Sequence, residues 1–393
     1  MLYHPPQPAV MGQIKESAVA NIVIVPVRTK AELKRFIRLP ARLYAQDPNF
    51  IPALEMERLD ALQAGRNPWF EHAEAQFFLA VSNGRDVGRI SAQVDRLVKD
   101  PAIGHFGLLA AEDSAAVFAA LLGAAESWLR ERGKSKVLGP FSLSINEETG
   151  LLVEGFDTPA MIFMAHDPPY AATRLEALGY GKAKDVIAYL FDMEKGFLPR
   201  IRKLADRFSA TGVTLRQIDM SRFAAEFTMV MEIFNDAWSQ NWGFVPFTDA
   251  ELKHMAKGLK PLLDPRLTAI AEHNGQAVGF GIMLPNLNEA IRDFNGRLLP
   301  FNWLKLLLRL KRGTRTARVP LMGVRRSFSA TGLAGGLAPF LIIDSMHKGA
   351  GQKGIKSIEL SWILEDNRPM RRIIEELGGV AYKTYRVFEK QLQ

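Results

Sequence analysis

Glu289 is the side chain whose surroundings best suit a proton acceptor. It follows a stretch that reads as a hairpin strand and sits with Asn286 and Asn288 in an otherwise apolar context. Desolvation in such a setting raises a carboxyl group toward the range of a general base at neutral pH. The same residues, coming after Pro285, also suit a surface turn. Asp236 and Glu365 are secondary candidates for the role. Other chemistries are excluded by composition. The chain has no cysteine, which removes thiolate nucleophiles, disulfides and thiolate metal sites together. Its histidines are scattered without metal-ligand spacing, so no metal is expected. There is no Gly-x-Ser-x-Gly elbow and no Walker loop. Gly349 to Gly354 spells Gly-x-Gly-x-x-Gly, but it follows a helical pattern and precedes a strand, the reverse of a dinucleotide site.

Three further clusters stand out. Trp238, Trp242, Phe244 and Phe247 fall close together, broken by Asn241 and Gly243. Core packing is the plain reading, and a wall over an apolar acceptor is the other. Ser142 to Thr149 is a polar knot containing Glu147 and Glu148. Segment 297–318 carries Trp303, four leucines in Leu304 to Leu308 and Leu310, and several Lys and Arg, with no acidic residue between Asp293 and Asp344. This pattern suits a helix on a membrane surface. It equally suits an amphipathic helix packed on another part of the chain. The formal charge of +8 favours an anionic partner: nucleic acid, an anionic membrane or a polyphosphate ligand. No nucleic-acid recognition motif is present, and nucleic acid is not expected.

The elements that must position these residues occur twice. Phe77 to Gly88 and Leu267 to Gly279 both read as strand, Asn-Gly turn, strand, sharing Asn-Gly-x-x-Val-Gly. Asn-Gly suits a primed turn because both central residues need φ > 0. Tyr170 to Asp192 and Arg368 to Lys390 both read as helix, Leu-Gly, strand. The order implies a tandem duplication: an N-terminal extension (1–20), a first domain (21–195), a connecting helix (196–212) with the basic stretch Arg200 to Arg207, and a second domain (213–393). Helical and strand periodicity gives each half the order β-α-α-β-β-β-α-β-α-β. No stretch is long and apolar enough to span a bilayer, and the N-terminus has no signal-peptide pattern.

That order resembles the GNAT acyltransferase fold, most closely in the second half. The resemblance implies an α/β, mixed-sheet fold of two GNAT-like domains, each a mostly antiparallel central sheet flanked by helices. It further implies an acyl-CoA site at a splayed strand ending Met322-Gly323-Val324, followed by Arg325, Arg326, Ser329, Thr331, Gly332 and Ala334. Backbone N–H groups of such a loop cradle the pyrophosphate at a helix N-terminus. Ser329 stands where the family has Arg or Gln, and Arg325 or Arg326 would supply the charge. The ending Glu359 to Asn367, helix, Leu377-Gly378 and Tyr382 to Arg386 resembles the family's closing elements. By that resemblance Asn367 lies near the pantetheine arm, and Tyr382 or Tyr385 near the leaving thiolate. A helix cap for Asn367 and strand packing for the tyrosines are the structural readings. The first half has Ala110-Ala111-Glu112-Asp113 where the pyrophosphate loop should be; those charges repel phosphate, so that half is expected to be degenerate for CoA.

The expected function is transfer of an acyl group from acyl-CoA to a primary amine. Glu289 is the base, Tyr382 or Tyr385 the proton donor, and Trp238, Asn241, Trp242, Phe244, Asn286 and Asn288 border the acceptor. The chain resembles a long, paired branch of GNAT-like proteins, the general type to which bacterial ceramide synthases belong; these acylate a sphingoid-base amine. A non-catalytic acyl-CoA- or lipid-binding scaffold is the alternative, and acyl transfer from aminoacyl-tRNA a further one. The expected location is cytoplasmic, with peripheral contact at the inner membrane face through 297–318.

Overall fold

A computed structural model describes residues 21–196 and 212–393. The expected N-terminal extension and nearly all of the expected connecting helix lie outside the described residues. In the N-terminal half the order is β1 (Ile22–Pro26), α1 (Lys30–Leu43), α2 (Glu55–Ala61), β2 (Ala73–Ser82), β3 (Arg85–Asp95), β4 (Ile103–Ala111), α3 (Ala115–Arg130), β5 (Lys136–Gly139), β6 (Leu151–Glu154), α4 (Tyr170–Glu176) and β7 (Gly181–Asp192). The C-terminal half runs β8 (Val213–Arg216), α5 (Phe223–Trp238), α6 (Asp249–Leu259), β9 (Thr268–His273), β10 (Gln276–Pro285), α7 (Leu287–Ile291), α8 (Asn302–Arg312), β11 (Thr316–Val324), α9 (Arg326–Ser329), α10 (Gly332–Gln352), β12 (Ser357–Leu364), α11 (Arg368–Leu377) and β13 (Val380–Gln391).

Local chemistry explains the repeated parts. Thr29 and Glu32 form a capping box at α1, as Thr248 and Glu251 do at α6. Both Asn-Gly turns have positive φ at the two central residues: Asn83 at 50° and Gly84 at 74°, Asn274 at 51° and Gly275 at 76°. The shared Val-Gly has its own cause. A Cβ on Gly88 would lie 2.7 Å from Leu121 of α3, and one on Gly279 would lie 3.0 Å from Ile342 of α10. In each half a glycine lets the long helix settle onto the hairpin.

The expectation of one sheet per domain is corrected. The thirteen strands among the described residues form a single sheet in the order β1-β2-β3-β4-β5-β13-β7-β12-β11-β10-β9-β8, with β6 also on β13. The last strand of each half crosses into the other half's territory. β13 pairs with β5 from Phe388↔Gly139 to Gln391↔Lys136, and β7 pairs with β12 from Ser357↔Asp192 to Leu364↔Val186. β7 and β13 also pair with each other. The exchange leaves no unpaired strand edge between the halves, and such edges are liabilities in water. The pairs β4–β5 and β11–β12 are parallel and the rest antiparallel. Helix α3 packs one face of the first half through Val117, Phe118, Leu121, Leu122 and Leu129, and α1 packs the other through Leu33, Phe36 and Ile37. Each fully buried side chain of this size contributes about 1.5–3 kcal/mol. In the second half α10 covers one face and α5 with α6 the other.

Candidate active site

Both parallel pairs open into clefts, and proline marks where each ladder ends. β11 and β12 pair from Thr316↔Ser357 to Val319↔Leu360, and Pro320 follows. β4 and β5 pair from Ile103↔Lys136 to His105↔Leu138, and Pro140 follows Gly139. Proline has no N–H to continue a ladder.

At the mouth of the second opening lies a buried polar cluster. Arg318 on β11 is 3% exposed and Glu359 on β12 is 0% exposed. The Arg318 guanidinium donates to Ser361 Oγ at 2.7 Å and to the Ser361 carbonyl at 3.2 Å, and lies 3.4 Å from Glu359. It also donates to the Ile162 carbonyl of the N-terminal half at 3.0 Å. Ser361 and Tyr382 both donate hydroxyl hydrogens to Glu359. Burial pushes the Arg318 guanidinium below its ordinary value, with Glu359 opposing. Tyr385, next but two along β13, is fully buried and its hydroxyl has no hydrogen-bond partner. Burial, and then Glu359, push that hydroxyl well above its ordinary value, so it stays protonated. Lys383 donates to the carbonyls of Gly155 (2.6 Å) and Thr158 (2.7 Å), and burial pushes its amine down to about 8.

The loop after β11 is laid out as follows. Trp238 Nε1 donates to the Met322 carbonyl at 3.1 Å, and Gly323 and Val324 pair with Phe280 and Gly279 of β10. Arg325 is turned back, donating to the Ala277 carbonyl at 3.0 Å. Arg326 is exposed, and its backbone N–H donates to the Asp236 carboxylate at 2.7 Å. Ser329 and Thr331 hydroxyls bond the carbonyls of Arg326 and Phe328. Gly332 opens α10 with φ 54°, and a Cβ there would meet nothing within 4 Å. Ala334 is half-buried against the core beneath α10. Asn367 caps α11, accepting from the Met370 N–H at 3.3 Å.

Trp238 stacks on Phe234 at 4.9 Å and meets Trp362 edge-on at 5.5 Å, so the aromatic group walls the second opening. Asn241 and Phe244 form the turn that follows, and Trp242 packs with Trp362 and Tyr385. Asn286 and Asn288 reach across to the N-terminal half. Asn286 Oδ1 accepts from the Ile162 N–H at 3.0 Å, and Asn288 Nδ2 donates to the carbonyls of Ala160 (3.0 Å) and Met161 (3.1 Å). Glu289 does not stand free. Its carboxylate accepts from the N–H groups of Arg315 and Thr316 and from the Thr316 hydroxyl, at 2.8–3.0 Å. These bonds tie its carboxylate to the start of β11.

A cavity of about 760 Å³ occupies the first opening. It is bounded by α1, by Leu108 to Ala110 of β4, by Ala160 to Asp167, and by Asn288 and Asp293 to Asn302 of the C-terminal half. Arg58 pairs with Glu148, which also accepts from Ser142 Oγ at 2.9 Å. Burial pushes Asp167 up to about 7 although it accepts from the Leu152 N–H, and pushes Arg89 down to about 9, with Arg58 adding to the effect. His166 lies 2.9 Å from Asp47. Met164 joins the two regions: it lines the cavity, and its sulfur lies 3.7 Å from Ser361 Oγ. After burial, Glu359 acts most strongly on the Tyr385 hydroxyl, followed by Arg318, Asp167 and Glu148. At the far end of the first opening, Tyr44 and Tyr170 hydroxyls bond the Ala111 N–H and carbonyl, while Glu112 and Asp113 pair with Arg85 and Arg174.

Sequence reasoning missed Arg318, Glu359, Ser361, Arg58, Arg89, Asp47, His166 and Asp167. A signal existed for three of them. Arg318 interrupts Ala317 and Val319, and Glu359 and Ser361 alternate with Ile358 and Leu360 on a core strand, where polar side chains need partners. Among the described residues, no helix is long and apolar enough to cross a membrane, and no group of three or more His, Asp or Glu is placed to hold a metal ion.

No protein-family model matches the chain. It is 53% identical over 383 residues to the bacterial ceramide synthase of Caulobacter vibrioides, covering 96% of this chain and 99% of that protein. It is 46% identical over 368 residues to protein YghO of Escherichia coli K12, covering 92% of this chain and 94% of that one. Among solved structures it resembles a tandem GNAT protein from the clavulanic acid biosynthesis pathway (TM-score 0.56, 13% identity, 95% of this chain and 99% of that one). It also resembles a GCN5-related N-acetyltransferase from Sphaerobacter thermophilus (TM-score 0.52, 14% identity, 94% and 96%).

Proposed function

Because the chain belongs to the GNAT acyltransferase superfamily, in one family with the bacterial ceramide synthase it matches over nearly its whole length, we propose that it acylates the primary amine of a long-chain lipid base from a fatty acyl-CoA. Residues 21–195 and 213–393 are two GNAT-type units that have exchanged their last strands. The donor lies in the opening between β11 and β12, with its pyrophosphate at the N-terminus of α10. Gly332 leaves room for the phosphates there, and Arg326 is the exposed cation beside them. The amine acceptor occupies the 760 Å³ cavity. The N-terminal unit does not take CoA: Tyr44 and Tyr170 already close the strand at Ala111, and Glu112 and Asp113 follow it, already paired with Arg85 and Arg174.

The observation that carries this reading is Met164, which lines the cavity and also touches Ser361 of the polar cluster at the donor opening. An amine in the cavity thereby comes beside a thioester in the opening, and proximity of this kind is the main source of rate in acyl transfer. Tyr385, protonated and unpartnered between the two regions, donates to the leaving thiolate. Leu299 lines the cavity, and the exposed apolar side chains Phe301, Trp303, Leu304, Leu307 and Leu308 follow it in the chain, with Lys305, Lys311 and Arg312 among them. This face rests on an anionic membrane at the cytoplasmic side, and the lipid base enters the cavity from there.

Calorimetry with acetyl- to palmitoyl-CoA, followed by thiol release in the presence of a long-chain amine, tests the reading. Affinity rising with chain length and an amide product are expected. Gly332→Glu should weaken binding by about 100-fold or more, through a carboxylate set against the phosphates. No binding at any chain length would refute the proposal. A second reading, an acyl-CoA-binding scaffold without turnover, is favoured by the Asp236 carboxylate, which already occupies the Arg326 N–H in the phosphate loop. Tight binding without thiol release would select it.

A further inference from the structure

We propose that His166, held by Asp47, takes the proton from the amine that enters the cavity; this rests on the acyltransferase reading above. His166 lines the cavity and is 8% exposed. Its Nε2 lies 2.9 Å from Asp47 Oδ2. A carboxylate accepts only, so it selects the tautomer protonated at Nε2 and leaves Nδ1 with a free lone pair. Nδ1 is shielded from solvent and has no hydrogen-bond partner. A buried acceptor left empty is costly, and a donor brought by a ligand would satisfy it. A primary ammonium is such a donor.

Asp47 bonds the ring, and Lys383 is the other charge that acts on it. Lys383 is itself tied to the Gly155 and Thr158 carbonyls. Farther along the cavity wall stand Asp167, Arg89 and the Arg58–Glu148 pair. Burial lowers the proton affinity of the ring more than Asp47 raises it, so the imidazole is neutral before substrate arrives. Asp167, the next residue in the chain, also lines the cavity and accepts the Leu152 N–H. None of these residues is used by the donor site.

The step balances as follows. The ammonium gives one proton to Nδ1, and the freed lone pair attacks the thioester carbon. The C–N bond forms and the C–S bond breaks. The second nitrogen proton leaves with the thiolate as CoA thiol, relayed through Tyr385. The imidazolium then returns its proton to solvent. One amide, one thiol and one proton are produced per turnover.

His166→Gln and Asp47→Asn separate a base from a packing residue. Thiol release is followed from pH 6 to 9.5 with palmitoyl-CoA and sphinganine, a long-chain 2-amino-1,3-diol, and palmitoyl-CoA affinity is measured by calorimetry. His166→Gln should lower kcat at pH 7 by about 10²–10⁴-fold, with KM for the amine and Kd for palmitoyl-CoA within about twofold of native. Its rate should climb about tenfold per pH unit, because the amine must then ionise unaided, whereas the native rate is flat above neutrality. Asp47→Asn should shift kcat in the same direction, since an amide no longer enforces the tautomer. A native kcat and flat profile in His166→Gln would overturn the proposal, as would a parallel loss of palmitoyl-CoA affinity. If His166→Gln does not fold, a native profile in Asp47→Asn overturns it instead. Failure of the acyltransferase reading would look different: the native chain itself would release no thiol.

Discussion

Glu289→Gln should cost stability and leave the pH profile of the reaction alone. The carboxylate receives two backbone N–H groups and one hydroxyl at the point where β11 begins. Two residues later Arg318 enters the buried cluster, so the clamp holds the strand that carries the cluster's cation. Glutamine keeps one accepting oxygen and turns an NH2 group toward donors that need an acceptor. A hydrogen bond to a charged group contributes about 1.5–3 kcal/mol, and an unmet buried donor costs about 1–3 kcal/mol. Glu289 is only half-buried, so the loss should be about 2–3 kcal/mol. At about 2 °C per kcal/mol for a large chain, the melting temperature falls by about 4–6 °C. Thermal unfolding by circular dichroism measures the fall, and kcat/KM from pH 6 to 9.5 reads the profile. An unchanged melting temperature, with kcat down 100-fold or more and the pH dependence lost, would refute the clamp and restore Glu289 as the base.

Arg318→Met should destabilise by about 3–5 kcal/mol, because Glu359 is left charged and buried; the double change Arg318→Met with Glu359→Leu should recover most of that loss, as denaturant titration would show. Lys383 makes stability depend on pH in the alkaline range. Its folded value of about 8 lies below the unfolded value, so between pH 8 and about 10.5 the unfolded chain binds the extra proton and stability rises with pH, by at most about 3 kcal/mol. Lys383→Met should remove that slope, and urea unfolding at pH 7.5 and 9.5 checks it. Trp303→Asp with Leu307→Asp should reduce sedimentation with phosphatidylglycerol vesicles by about tenfold or more while leaving palmitoyl-CoA affinity unchanged; equal vesicle binding would remove α8 from the membrane contact.

Much of the local architecture was legible because its causes are local. Asn-Gly at 83–84 and 274–275 demands two positive φ values. Gly88 and Gly279 answer to a helix passing overhead, and Thr29 with Glu32 announces a helix start. The site was less legible. Of the expected residues, Tyr382, Tyr385 and Trp242 share one apolar cluster with Trp362, which Trp238 meets edge-on. Asn286 and Asn288 bond across the seam between the halves, where Asn288 also lines the cavity, and Glu289 binds backbone. Nothing local to Asp47 and His166 distinguishes them from surface residues, since their meaning arises from a contact more than a hundred positions apart.

The sequence by itself determined the elements, their order, their repetition and the faces they bury, because turn geometry, capping and periodicity act within a few residues. Tertiary structure alone decided which edge each closing strand would join. Alternation in β7 and β13 specifies two faces but no partner, and both strands fit either of two similar edges. Their exchange turned two expected sheets into one. It also set β13, with Tyr382 and Tyr385, between β5 and β7 in the middle of that sheet, because only there do both edges find a partner.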